Sequence, residues 1–238
     1  MTHVKICGIT SFEDGLCAAS AGADYLGFIF FEKSPRYIAP EAAREITSRL
    51  TEHLSDSNTA PVSGAEFGQA PRYIGVFVNE TLEAVEETIC RANLDFAQLH
   101  GEETPAMLEA LRGRGFKALR PTSAADAEIE AEWYAGLGPS NGPQLLVDAF
   151  DPKDYGGTGK RADWNAAAGL RLNYPRLVLA GGLTPRNVAE AVEAVRPWAV
   201  DVSSGVEFEP GRKDPDKVRE FILSAKGQGQ QAWDLNAE

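Results

Sequence analysis

Four short motifs of this chain hold side chains able to carry chemistry: Lys5-Ile6-Cys7-Gly8, Gln98-Leu99-His100-Gly101, Leu146-Val147-Asp148 and Asp201-Val202-Ser203-Ser204-Gly205. Together they supply a thiol, an ammonium, an imidazole, an amide and carboxylates. Singly, each has a plainer reading. Cys7 suits a small core position, His100 a turn or cap before Gly101, and Lys5 with Asp201 a structural ion pair. Convergence on one face changes this, because a buried polar cluster costs stability unless it has partners or work to do. Such a set must be brought together by elements far apart in the chain.

Eight short runs rich in β-forming residues recur, at 4–6, 25–30, 73–78, 96–99, 116–120, 145–147, 177–180 and 199–202. Stretches of helical period separate most of them. Thr10-Ser11-Phe12-Glu13 reads as a capping box, followed by Leu16 and Ala19 on one helix face. Pro40 opens a second helix with a stripe of Ala43, Ile46 and Leu50, and Leu82, Val85, Ile89 and Ala92 mark a third. Thr104-Pro105, Thr184-Pro185 and Asp214-Pro215 each place a capping side chain before a proline at the first helical position. Alternating strands and helices imply a parallel sheet, and eight strands favour a closed (β/α)8 TIM barrel of the α/β class with helices outside. The 238 residues fit one such domain, placed at 1–226. A Ser-, Gly- and Pro-rich segment at 55–71 is expected to be a surface loop insertion, and the Gln-rich tail at 227–238 a flexible terminus.

In a barrel strand alternate side chains point inward, and the C-terminal strand ends line the active face. Val4 and Ile6 suit the helix layer, leaving Lys5 and Cys7 inside. The fourth strand turns Ala97 and Leu99 outward, with Gln98 and His100 inward. The sixth places Leu146 and Asp148 on one face, and the eighth sends Asp201 and Ser203 to the interior. A thiol and carboxylates converging on one barrel mouth favour chemistry over packing.

The glycine motifs indicate the ligand. Gly181-Gly182 ends the seventh strand, and Ser203-Ser204-Gly205 ends the eighth. These are the two loops where barrel enzymes bind phosphate through backbone N–H groups. A tight turn explains either alone; the paired placement favours a phosphorylated ligand. Gly156-Gly157-Thr158-Gly159-Lys160 lacks the spacing of a nucleotide-binding Walker loop, since the lysine follows too soon.

Composition narrows the partners. Lys+Arg 23 against Asp+Glu 35 gives a net charge of -12, which repels nucleic acid and anionic membrane surfaces. The run at 25–31 is far shorter than the ~20 apolar residues of a membrane span. The N-terminus has no signal-peptide pattern, and Cys7, Cys17 and Cys90 form no C-x-x-C. A soluble, cytoplasmic protein without nucleic-acid or membrane partners is expected.

Seven motifs in order, from about residue 3 to about 224, resemble the phosphoribosylanthranilate isomerase family. They are Lys5-Ile-Cys-Gly-Ile-Thr10, Gly27-Phe-Ile-Phe with Ser34-Pro-Arg-Tyr37, Gly75-Val-Phe-Val-Asn79, Gln98-Leu-His-Gly101, Gly156-Gly-Thr-Gly-Lys160 with Asp163-Trp164, Leu179-Ala-Gly-Gly-Leu183, and Asp201-Val-Ser-Ser-Gly-Val-Glu207 with Pro210-Gly211 and Lys213-Asp214. The resemblance implies a (β/α)8 barrel acting in tryptophan biosynthesis on a small phosphorylated anthranilate substrate. It further implies an Amadori rearrangement of N-(5-phosphoribosyl)anthranilate to 1-(2-carboxyphenylamino)-1-deoxyribulose 5-phosphate, with no metal and no cofactor. On the matching positions it makes Cys7 the general base, Asp148 the general acid and Arg36 the holder of the anthranilate carboxylate. Gly181, Gly182, Ser203, Ser204 and Gly205 fall on its phosphate site. Lys5, Gln98, His100 and Asp201 are expected to line the substrate pocket. Lys5 either favours the Cys7 thiolate or pairs with Asp148 or Asp201.

Other readings fit less well. A metal-dependent epimerase needs several ligands at strand ends, and of His3, His53 and His100 the second falls on a helix. A histidine-pathway isomerase would carry an aspartate where Cys7 stands. A non-catalytic phosphate-binding barrel would need neither Cys7 nor Asp148. Monomer and homodimer both stay open, because the departures at 55–71 and in the tail touch only surface.

Overall fold

The computed structural model describes residues 1–55, 70–149 and 163–227. Residues 56–69 of the insertion, the 156–160 glycine motif and the tail beyond Gly227 lie outside the described residues. The first half of the barrel runs β1 (His3–Cys7), α1 (Phe12–Ser20), β2 (Tyr25–Ile29), α2 (Pro40–Ser55), β3 (Arg72–Phe77), α3 (Leu82–Arg91) and β4 (Phe96–Leu99). It continues through α4 (Pro105–Ala110), β5 (Gly115–Leu119), α5 (Ala124–Tyr134), β6 (Leu145–Val147), α6 (Trp164–Asn173), β7 (Leu177–Leu179), α7 (Val188–Val195) and β8 (Ala199–Val202). An antiparallel pair, β9 (Glu207–Glu209) and β10 (Arg212–Lys213), precedes α8 (Pro215–Ala225).

Strands β1 to β8 close in chain order into an all-parallel barrel, β1 pairing with both β2 and β8. The closed (β/α)8 barrel expected from the alternation is the fold. Its period-2 side chains divide the core in two. Val4, Ile6, Ala97, Leu99, Val147, Val200 and Val202 pack outward against helix residues such as Ala43, Leu50, Val85 and Phe221. Inside, Tyr25, Ile74, Phe96, Phe116, Leu146, Val178 and Ala199 make a separate apolar plug. Above that plug the inward positions turn polar, beginning with Lys5, whose register partners are Tyr25 on β2 and Asp201 on β8.

Caps differ from expectation at two helices. Thr10 is not the cap of α1: Ser11 is, its hydroxyl accepting from Asp14 N–H. The Thr10 hydroxyl donates instead to the Gly211 carbonyl, so a tertiary partner outcompetes a local one. Thr184-Pro185 does not open α7 either. Asn187 Oδ1 accepts from Thr184 N–H at 2.7 Å, closing a turn, and the helix begins at Val188. Thr104 and Asp214 cap α4 and α8 as expected. Strands β3 and β5 lie one residue earlier than the sequence reading placed them. Among the described residues no helix is long and apolar enough to cross a membrane.

Candidate active site

Lys5 is 1% exposed, and its ammonium donates to Asp201 Oδ1 at 3.0 Å. Burial opposes its charge, but Asp201 and then the Cys7 thiol outweigh that, so its pKa stands above the ordinary value. Of the two partners proposed for it, Asp201 is the one it pairs with. Burial also pushes the Asp201 carboxyl up, against the pull of Lys5, with Asp148 adding to the rise.

The Cys7 thiol lies in the same cluster. Burial raises its pKa above the ordinary value, while Lys5 and Lys213 pull it back and Asp201 adds to the rise. Lys5 pairs with Asp201 and also lowers the Cys7 pKa, by less than burial raises it. Gly27 makes the space: a Cβ there would fall 2.8 Å from Cys7 Sγ.

Asp148 lies just beyond β6, three strands from β1 around the ring. Its Oδ1 accepts from Ala149 N–H at 2.7 Å, and its Oδ2 lies 3.3 Å from His100 Nε2. His100 Nδ1 is 2.7 Å from Gln98 Nε2. The turn after His100 is fixed from outside the barrel. Buried Glu103 accepts from Gly101 N–H and Asn79 N–H, both at 2.8 Å, and pairs with Lys117 at 3.0 Å.

Arg36, in the loop after β2, does not present a free guanidinium. Its Nε and Nη2 donate to the two oxygens of Glu207, each at 2.7 Å. That fork raises the Arg36 pKa. Burial works against the Glu207 carboxylate, yet Arg36 and Lys213 hold its pKa below the ordinary value. For Lys213, burial outweighs Glu207 and its pKa is lowered. Arg36 keeps its Nη1 edge and one Nη2 proton for a ligand. Gly8, at φ +77°, permits the approach, since a Cβ there would lie 2.7 Å from Arg36 Cδ.

The two glycine loops touch each other. A Cβ on Gly205 would lie 2.0 Å from the Leu183 carbonyl, and Gly181 and Gly182 both have positive φ. Ser204 to Val206 form a short 3-10 turn, and the buried Ser203 hydroxyl oxygen has no hydrogen-bond partner among the described atoms. At Gly181 an added Cβ would meet Ala149 N at 2.7 Å and Asp148 Oδ1 at 3.0 Å. The loop proposed for phosphate thus borders the proposed acid.

Lys5, Cys7 and Asp201 form one buried cluster, His100 lies beside Asp148, and Gly181 borders Asp148. Glu103, Lys117, Glu207 and Lys213 are buried supports of the site to which strand periodicity does not point. Their signal was weak: single charged residues, Glu103 in a loop, Lys117 on β5, Glu207 on β9 and Lys213 on β10, with no local pattern that names their partners. Among the described residues no three His, Cys, Asp or Glu side chains gather as a metal-binding group.

A closed parallel barrel with its buried ionisable side chains gathered at one mouth has the construction of a (β/α)8-barrel enzyme. Comparison with known proteins makes the assignment specific. The family model for N-(5'phosphoribosyl)anthranilate (PRA) isomerase matches residues 4–224. An N-(5'-phosphoribosyl)anthranilate isomerase of Citrifermentans bemidjiense is 48% identical over 226 residues, covering 95% of this chain and 98% of that one. A crystal structure of monomers generated from the dimeric phosphoribosylanthranilate isomerase of Thermotoga maritima superposes with a TM-score of 0.77 at 38% identity, covering 95% of this chain and all of the other. A phosphoribosylanthranilate isomerase in complex with reduced 1-(o-carboxyphenylamino)-1-deoxyribulose 5-phosphate superposes with a TM-score of 0.76, also at 38% identity, and covers 95% of this chain and 100% of that one. The chain belongs to the phosphoribosylanthranilate isomerase family.

Proposed function

We propose that this chain isomerises N-(5-phosphoribosyl)anthranilate to 1-(2-carboxyphenylamino)-1-deoxyribulose 5-phosphate, an Amadori rearrangement in tryptophan biosynthesis. The reading treats 1–226 as one catalytic domain, cytoplasmic, monomeric or homodimeric, working without metal or cofactor and without nucleic-acid or membrane partners. The observation that supports the site assignment is that Cys7 ends β1 and Asp148 directly follows β6, three strands away around the ring. An acid and a base so disposed can serve two atoms of one sugar.

Ring opening requires a proton on the furanose oxygen as its bond to C1 breaks, leaving an iminium. Asp148 is the general acid for that step. The iminium acidifies the C2 proton, which Cys7 removes as general base. A base role needs the thiolate, which burial disfavours in the free protein. The cationic iminium, arriving beside Lys5, favours it when it is needed. Arg36 takes the anthranilate carboxylate on its Nη1 edge. Gly181, Gly182, Ser203, Ser204 and Gly205 take the phosphate through backbone N–H groups and the unpartnered Ser203 hydroxyl. These local donors offset a field that, at a net charge of -12, repels a ligand carrying both a phosphate and a carboxylate.

Purified protein mixed with phosphoribosylanthranilate should consume its fluorescence catalytically. Folded protein with no turnover would overturn the activity.

A further inference from the structure

Gln98 and His100, expected to line the substrate pocket, also stand beside the proposed acid, His100 directly and Gln98 through His100. Gln98 on β4 and His100 just after that strand lie two residues apart and are 1% and 5% exposed. With the Gln98 amide nitrogen 2.7 Å from Nδ1, that ring nitrogen accepts. With that nitrogen accepting, the ring N–H sits on Nε2, an assignment that follows from the amide orientation. Nε2 lies 3.3 Å from Asp148 Oδ2 but not in line for a hydrogen bond. Gln98 Oε1 is likewise buried without a partner. A buried donor left open costs stability, and the carboxylate oxygen beside this one is Asp148 Oδ2. The other oxygen of Asp148 is already held by Ala149 N–H.

We propose that Gln98 and His100 are positioning residues for the acid: Gln98 fixes the ring tautomer, and His100 Nε2–H closes on Asp148 Oδ2 as the proton leaves it. The inference rests on Asp148 being the general acid. In the step concerned, the O–H bond of Asp148 breaks and a new O–H bond forms on the furanose oxygen. The electron pair of the C1–O bond stays on that oxygen, and the negative charge stays on Asp148. His100 keeps its proton throughout. A contact that is loose while Asp148 is protonated and tight once it is charged stabilises the transition state more than the ground state. It therefore acts on kcat and leaves KM alone, the reverse of a substrate contact.

The test is steady-state kinetics with phosphoribosylanthranilate on His100→Leu, His100→Gln and Asp148→Asn, with thermal melts to confirm folding. His100→Leu is expected to lose about 10- to 100-fold in kcat with little change in KM. Its solvent isotope effect on kcat should rise as proton transfer becomes more limiting. His100→Gln, whose amide nitrogen reaches about as far as Nε2, should recover most of the loss. A raised KM with unchanged kcat in His100→Leu, or equal losses in the Leu and Gln variants, would overturn the proposal. Should His100→Leu fail to fold, Gln98→Met frees the tautomer while keeping the ring. A fall in its kcat at constant KM supports the role, and an unchanged kcat removes it. Full kcat in Asp148→Asn would strike the acid assignment itself. Collapse of Asp148→Asn beside a kinetically silent His100→Leu would strike this inference alone.

Discussion

Lys213 Nζ donates to the main-chain carbonyl of Cys7 at 2.6 Å, across 206 positions of sequence. The same ammonium reaches Ser203 O at 3.3 Å and Glu207 Oε1 at 2.9 Å. Glu207 in turn carries the Arg36 fork. One lysine after the barrel thus joins the strand of the proposed base, the loop of the proposed phosphate site and the arginine proposed for the carboxylate. The cluster is buried, so its members are held in place by one another rather than by solvent.

If Cys7 and Asp148 carry the two proton transfers, removing either should lower kcat by at least ~100-fold, the usual scale of an acid–base contribution. Cys7→Ser and Asp148→Asn keep size and hydrogen bonding nearly intact, so KM should move little. A variant near wild type in kcat would lose its assigned role.

Much of this site could be read in the sequence because strand geometry is a local property. A period of two and a strand end suffice to send Lys5, Cys7, Gln98, His100, Asp148 and Asp201 to one mouth. What could not be read was pairing between loops. Arg36 and Glu207 are 171 positions apart, and neither lies in a barrel strand whose periodicity would aim it. The caps failed for the opposite reason. Thr10 and Ser11 are both competent caps by local rules, and Gly211, 201 positions from Thr10, decides between them.

The thiol offers a direct electrostatic test. Burial holds the Cys7 pKa above its ordinary 9.0, and Lys5 is the largest effect opposing that rise. Removing a cation disfavours the thiolate, so Lys5→Gln should move the Cys7 titration to still higher pH. Ultraviolet thiolate absorbance, taken as the difference from Cys7→Ser, isolates this residue from Cys17 and Cys90. A downward or absent shift would show that Lys5 serves Asp201 alone.

Arg36 and Glu207 should act on KM as a unit. Arg36→Ala is expected to raise KM with kcat largely kept, since it removes carboxylate binding distant from the proton transfers. Glu207→Gln breaks the two-point fork and should raise KM as well. In the Arg36→Ala background it should add little, because residues acting through one another are not additive. Fully additive effects would mean that Glu207 touches catalysis by another route.

Gly205 tests the phosphate loop without removing any functional side chain. A Cβ there would lie 2.0 Å from the Leu183 carbonyl, and neither backbone can give way without moving its loop. Gly205→Ala should therefore raise KM and weaken inhibition by inorganic phosphate in parallel. A change in kcat alone would place the phosphate elsewhere.

Glu207 also sets an acid limit on stability. Its folded pKa lies below the ordinary 4.5, held there by Arg36 and Lys213 against the cost of burial. A carboxylate lowered in this way contributes stability that is fully present above its unfolded pKa and is lost as pH falls through the folded value. Glu207→Gln leaves both cations without their carboxylate and should cost roughly 3–5 kcal/mol at pH 7, the scale of a broken buried pair. In wild type the same loss develops only as the pH drops below about 4.5 and Glu207 takes up its proton. Urea unfolding of the two proteins from pH 7 to pH 3 should therefore show a gap that is wide at neutral pH and closes at the acid end. A gap independent of pH would assign the cost of the substitution to packing rather than to charge.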